Sequence, residues 1–151
     1  MEIAIGSDHA GFEAKREIIS MLQSAGYNTI DCGTYAADSV DYPDIAESVA
    51  EQVLGKNILG IIICGTGIGI SIAANKIPGI RAAVCTDTFT AEMSRQHNDA
   101  NIVALGARVL EISRMKEIIE VFIKTDFAGG RHQLRVEKIK ALENKYRERC
   151  C

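Results

Sequence analysis

The chain has 151 residues, 47% of them hydrophobic and 25% charged, which suits one ordinary globular domain and excludes disordered and fibrous classes. A formal net charge of -3 supplies no overall field for a polyanion, so nucleic acid is excluded as a partner and any anion must be bound by a local site. The N-terminal MEIAIGSDHAGF is not a signal peptide, the apolar ILGIIIC is too short to cross a bilayer, and the five cysteines show no framework spacing; a cytoplasmic chain with reduced thiols and no membrane partner is expected.

In chain order, apolar runs rich in Ile and Val alternate with helix-period segments. The strand IAIG precedes the helix GFEAKREIISMLQSAG, and YNTIDCG precedes DIAESVAEQVLG. Three further strands come next, ILGIIIC, IRAAVC and NIVALG, each succeeded by a helix: GISIAANK, DTFTAEMSRQHN and ISRMKEIIEVFIKT. The last three strands are nearly continuous in apolar residues, as expected of strands buried on both faces. This alternation predicts an α/β fold: one doubly wound, Rossmann-like domain over residues 1–151, three layers thick, with a five-stranded parallel sheet. A final helix from about His132 to Arg149 carries Leu134, Ile139, Leu142 and Tyr146 among many charges. It either packs on a partner chain or covers its own domain. Cys150 and Cys151 end the charged tail and are expected to be exposed.

Ligands of such sheets bind beyond the carboxyl ends of the strands. After the first strand comes Gly6-Ser7-Asp8-His9-Ala10-Gly11. Its glycines, with Asp31 about twenty residues on, imitate a dinucleotide fingerprint. The imitation fails at Asp8, which sets a carboxylate where a bare glycine must meet a pyrophosphate. Asp8 and His9 read instead as groups that grip sugar hydroxyls or a phosphate, with a plain helix N-cap as the alternative for Asp8.

After the third strand comes Cys64-Gly65-Thr66-Gly67-Ile68-Gly69. Three alternating glycines let successive N–H groups turn into one concavity, and the helix after them adds its positive end. Cys64 stands just before this anion hole, where a helix N-terminus lowers a thiol pKa; it is a candidate base or nucleophile. Cys32 and Cys85 read as inert buried thiols. Low-molecular-weight tyrosine phosphatases also place Cys before a phosphate loop, but they need an Arg where Ile70 stands. Farther on, His97 and Asn98 close the fourth helix, Arg108 comes after the fifth strand, and Arg131 and Arg135 share one helix face. That basic pair is either a phosphate clamp or solvated surface. No cofactor or metal is expected, since no metal-ligand spacing occurs.

The motifs SDHAGF, DYPD, ICGTGIGISIAANK, SRQHND and GGRHQLRV, in this order, resemble the ribose-5-phosphate isomerase B family, which also includes galactose-6-phosphate isomerase. The resemblance implies interconversion of ribose 5-phosphate and ribulose 5-phosphate through an enediolate. It implies Cys64 as the base, Gly65, Thr66, Gly67, Ile68 and Gly69 as the oxyanion hole, and His97, aided by Asp8, as the group that opens the furanose ring. Asn98 would contact the sugar, and His9, Arg108, Arg131 and Arg135 the phosphate. Some relatives use a Glu at the place of Ile70 as base; an Ile there implies the cysteine-using branch. The resemblance further implies a homodimer, possibly a dimer of dimers, sharing its sites, with His97, Asn98 and Arg108 from the partner. Galactose 6-phosphate and allose 6-phosphate stand as alternative substrates, and a non-catalytic phosphate- or nucleotide-binding module as the alternative of another class.

Overall fold

The computed structural model describes residues 1–36 and 38–147. Cys150, Cys151 and the expected last two residues of the final helix lie outside that set. The strands are β1 (Glu2–Ser7), β2 (Asn28–Asp31), β3 (Leu59–Cys64), β4 (Ala82–Val84) and β5 (Ile102–Gly106). The helices are α1 (Phe12–Ser24), α2 (Tyr42–Lys56), α3 (Ile68–Ala74), α4 (Thr88–Asn98), α5 (Ile112–Lys124) and α6 (Arg131–Arg147), and a 3-10 turn (His9–Gly11) precedes α1. Among the described residues no helix is long and apolar enough to cross a membrane.

All strand pairs are parallel, and the order across the sheet is β2-β1-β3-β5-β4. Side-chain alternation sorts the central strands between two cores. Ile3, Ile5, Ile61, Ile63, Val103 and Leu105 face α1, α4 and α5. Ala4, Ile62, Cys64, Ile102 and Ala104 face α2 and α3. Each fully buried Ile or Leu contributes about 1.5–3 kcal/mol, so the two layers hold the strand ends in fixed register. β4 corrects one expectation: it is a three-residue edge strand with Val84 exposed, not a strand buried on both faces. The reason is topological, because β5 inserts between β3 and β4 and leaves β4 with a single neighbour.

α2 starts earlier than its apolar period suggests, since Asp41 takes the N-cap and Pro43 suits the first turn. α6 meets its own domain along one side. His132 and Val136 are buried, and the Gly79 N–H donates to the Glu143 carboxylate at 3.1 Å. The apolar residues expected to anchor the helix, Leu134, Ile139, Leu142 and Tyr146, are instead exposed on the single chain.

Asp31, the false ribose acid of the fingerprint, pairs with Lys15. The Lys15 Nζ lies 2.5 Å from the carboxylate and donates to the Thr34 carbonyl at 2.6 Å, tying α1 to β2 and to the loop that leads into α2. Lys15 is 1% exposed and Asp31 35% exposed on their side chains. Asp31→Ala therefore leaves a buried ammonium without its counter-charge, held only by the Thr34 carbonyl, at a cost of about 3 kcal/mol. Lys15→Met leaves a carboxylate that water can reach and costs less. Urea unfolding of both variants checks this, and equal losses, or a larger loss for Lys15→Met, would contradict it.

Candidate active site

The fold gathers the loops after β1, β3 and β5 at one edge of the sheet, from three adjacent strands about 4.8 Å apart. Cys64 ends β3 and is 5% exposed, its side chain directed toward the α2 and α3 layer. The Gly67 N–H donates to the Cys64 Sγ at 3.2 Å, and the Ile68 N–H donates to the Thr66 Oγ1 at 3.3 Å.

The glycines of this loop have distinct causes. Gly67 adopts φ +78°, and a Cβ there would sit 3.0 Å from the Leu105 carbonyl carbon, so the loop lies against the β5 backbone. A Cβ on Gly69 would come within 2.9 Å of the Tyr42 ring. A Cβ on Gly65 would come within 3.4 Å of the Arg108 guanidinium. The β5 loop is tied in turn to this one: the Ala107 N–H donates to the Cys64 carbonyl at 2.8 Å and the Arg108 N–H to the Gly65 carbonyl at 2.9 Å. Within one chain, then, Arg108 stands over Gly65 of its own loop. Tyr42 is a neighbour of the loop that sequence reasoning missed; the DYPD motif is the one signal for it.

After β1, the helix-cap reading of Asp8 is observed. Its Oδ1 accepts from the Ala10 N–H at 2.9 Å and the Gly11 N–H at 3.2 Å. His9 comes next, half-buried, and its Nδ1 is a buried polar atom with no hydrogen-bond partner among the described residues. Ile70, by contrast, is wholly buried in the core. Cys85 is buried as expected and Cys32 only half-buried; desolvation pushes both thiols up, which favours their protonated form. Among the described residues no three His, Cys, Asp or Glu side chains are grouped to hold a metal ion.

The remaining expected residues assemble elsewhere. α4 runs back from the carboxyl edge, so His97 and Asn98 at its end lie near the amino edge, just before Ile102 opens β5. Gly60 pairs with Ile102 and Cys64 with Gly106, and those four steps span about 13 Å. Within one chain, therefore, His97 and Cys64 sit at opposite ends of the sheet. At the His97 end, Arg131 and Arg135 are exposed on the first turns of α6. Between them is His132, which sequence reasoning missed because GGRHQLRV draws attention to its arginines. The His132 ring stacks on His97 with centroids 4.1 Å apart and planes 4° from parallel. Asn98 is exposed and shares a cavity of about 410 Å³ with Ile80, Ala82, Ile139 and Leu142.

Burial holds the His132 pKa below the ordinary value near 6.5, and the positive charge of His97, Arg131 and Arg135 adds to the effect. A depressed imidazole is neutral in the folded chain while the unfolded chain protonates, so its stabilising effect is present above pH 6.5 and lost as pH falls below it. The melting temperature is expected to drop more between pH 7.5 and 5.5 in the parent than in His132→Gln. Superimposable pH profiles would refute this account of the stack.

A family model described as Ribose/Galactose Isomerase matches residues 3–139. The chain is 48% identical to the ribose-5-phosphate isomerase B of Escherichia coli, over 95% of this chain and 97% of that one. The structure of a Clostridium thermocellum ribose-5-phosphate isomerase B superposes with a TM-score of 0.95 at 56% identity, covering 97% of this chain and 99% of that one. A Mycoplasma genitalium ribose-5-phosphate isomerase B with bound ribulose-5-phosphate superposes with a TM-score of 0.91 at 41% identity, covering 95% and 96%. With the model spanning nearly the whole fold and relatives this similar over their full lengths, the chain belongs to the ribose/galactose isomerase family.

Proposed function

We propose that the chain is an aldose–ketose isomerase that interconverts ribose 5-phosphate and ribulose 5-phosphate, at sites completed by a second copy of itself. The observation that carries this reading is the placement of Cys64 at the end of β3, covalently continuous with a glycine loop wedged between Arg108, the β5 backbone and Tyr42. Isomerisation moves a proton between two adjacent carbons, and negative charge grows on the carbonyl oxygen as it leaves. The Cys64 thiolate takes the proton from the carbon beside the carbonyl and returns it to the former carbonyl carbon, while the hydroxyl proton on the first carbon's oxygen passes to the oxygen on the second, so that the enediolate collapses to the ketose with no net change in protons. The Gly67 N–H, already on the Cys64 Sγ, supports the thiolate, and the other N–H groups of the Gly65 to Gly69 loop, with the Thr66 hydroxyl, stabilise the enediolate oxygen, which is where preorganised donors count most.

Substrate arrives mostly as a closed ring, so a proton must pass from the anomeric hydroxyl to the ring oxygen before the aldehyde exists. In this proposal His97 of the second copy does that, and Asn98 beside it holds a sugar hydroxyl. Oδ1 of Asp8 is already engaged by the 3-10 turn, which leaves Oδ2 for a hydroxyl and makes its main task the presentation of His9. The phosphate would lie between His9 and Arg108 on one chain and Arg131 and Arg135 on the other. The unpartnered His9 Nδ1 supports this, since an orphaned buried nitrogen needs a ligand or a proton acceptor. The separation of the two residue groups within one chain supports a shared site, and a chain with both Cys64 and His97 needs only its own copies. A reduced Cys64 suits a cytoplasmic location. Allose 6-phosphate or galactose 6-phosphate in place of the pentose would be revealed by coupled assays on five- and six-carbon esters.

Cys64→Ala is expected to lower kcat on the order of a hundredfold or more, with the fold retained, because a base is lost and only a sulfur's volume is removed. Turnover of ribose 5-phosphate at the parental rate by the folded variant would sink the mechanism and favour the binding-module reading. The shared site makes a separate prediction for mixtures. Cys64→Ala and His97→Ala chains that exchange subunits form hybrids with one intact site, so about a quarter of parental activity should return. If mass-tagged subunits exchange and activity stays at that of the single variants, the site is not shared in this way.

A further inference from the structure

The end of α4 is held by more than a helix needs. A helix commonly closes on a glycine in the left-handed conformation, which satisfies its last carbonyls cheaply. Here the closing residue is Asp99, at φ 46° and ψ 44°, a conformation uncommon for a side chain with a Cβ. Its carboxylate is gripped from both sides: Arg81 Nη2 lies 3.0 Å from Oδ2 and Arg95 Nη1 lies 3.1 Å from Oδ1. The two guanidinium groups also take the backbone carbonyls of this segment in sequence. Arg81 Nε donates to the Asn98 and Asp99 carbonyls, both at 3.0 Å, and Arg95 Nη1 donates to the Ala100 carbonyl at 2.6 Å.

Each arginine is itself anchored. The Asn101 side chain accepts from the Arg81 N–H at 2.8 Å and donates to the Gly79 carbonyl at 2.9 Å, so the main chain of Arg81 cannot swing. Arg95 Nε donates to the Thr125 carbonyl at 3.2 Å, and its guanidinium lies 5.6 Å from the Phe122 ring centre, which fastens it to α5. The clamp therefore couples the strand-leading loop before β4, the start of β5 and the end of α5 to one turn of backbone. That turn carries His97 and Asn98.

We propose that Asp99, with Arg81 and Arg95, is a positioning residue for His97 and Asn98. It fixes the rotation of the last turn of α4, so that the His97 ring meets His132 in parallel and the Asn98 side chain is presented outward to the site of the second copy. The proposal rests on the reading of His97 as the ring-opening group of a shared site. It adds a division of labour: the clamp serves the half of the site that a chain lends to its partner, and leaves its own Cys64 half untouched.

Asp99→Gly tests this, because glycine keeps the left-handed backbone while deleting the carboxylate; Asp99→Asn, which also tolerates that backbone, is the second variant should the first fold poorly. The expected result is a circular dichroism spectrum like the parent, a kcat lower on the order of tenfold to a hundredfold, and a KM raised by a smaller factor, since a misplaced ring slows the reaction and a misplaced Asn98 loosens one sugar hydroxyl while the phosphate ligands stay in place. A merely structural defect is separated by subunit mixing. Asp99→Gly should recover to about a quarter of parental activity with Cys64→Ala but gain nothing with His97→Ala. Recovery with His97→Ala instead would place the defect in the Cys64 half and overturn the proposal. Parental kcat in Asp99→Gly, alongside an inactive His97→Ala, would overturn the clamp and leave the shared site standing. Parental activity in His97→Ala would overturn both.

Discussion

A parallel sheet has two unlike edges, and the placement of the candidate site residues in this molecule depends on that polarity. The carboxyl edge collects the loops that leave the strands, and with them His9, Cys64 and its glycines, and Arg108. The helices run the other way, so the residues that close them collect at the amino edge, as His97 and Asn98 do. No adjustment of loops within one chain can bring the end of α4 to the end of β3 while the strands stay in register, because the register itself spans the gap. On the proposed reading, which uses both groups, the reaction takes two chains.

At the carboxyl edge the decisive contact is backbone against backbone. The β3 loop passes so close to the start of the β5 loop that a Cβ on Gly106 would lie 2.7 Å from the Thr66 carbonyl, and one on Gly67 would strike Leu105. The glycines at 67 and 106 are thus a packing requirement as well as a conformational one. The approach sets the Arg108 side chain over the loop, so that a cation and the loop's N–H groups share one neighbourhood without any long side chain having to reach across. It depends on β5 lying beside β3. Had the chain placed β4 there, the residue after the strand would have been Cys85, not the loop that carries Arg108.

The amino edge is held by charge. Arg81, Arg95 and Asp99 fasten the end of α4, and His132 then stacks on the ring presented there. With Arg131 and Arg135 beside them the two imidazoles sit in a positive field, which suits an anion from outside the chain and disfavours protonation of the buried ring. Of the exposed apolar residues of α6, Ile139 and Leu142 line a cavity with Asn98.

Much of this is legible in the residues alone. Apolar runs mark the central strands at close to their observed lengths and the periodic segments mark the helices, while β2 and the short edge strand β4 are marked less well, and the position of Cys64 before alternating glycines marks a candidate site, because each of these is a local property of neighbouring residues. Two readings stay open where local chemistry permits either, and the structure uses Asp8 as a cap and sets α6 partly on its own domain. Asp31 fails as a cofactor acid on sequence grounds, but its true partner, Lys15, lies a helix away in the chain and is invisible there. The same holds for His132 on His97 and for the three-residue clamp, whereas Tyr42 over Gly69 has only the DYPD motif to mark it. The sequence by itself determined which elements form and which residues carry reactive groups, since propensity, periodicity and motif act over a few residues. Only the tertiary structure decided that β5 inserts beside β3, that Arg108 therefore stands over its own Cys64 loop, and that His97 lies at the far end of the sheet, because strand order depends on the packing of distant segments into a common core.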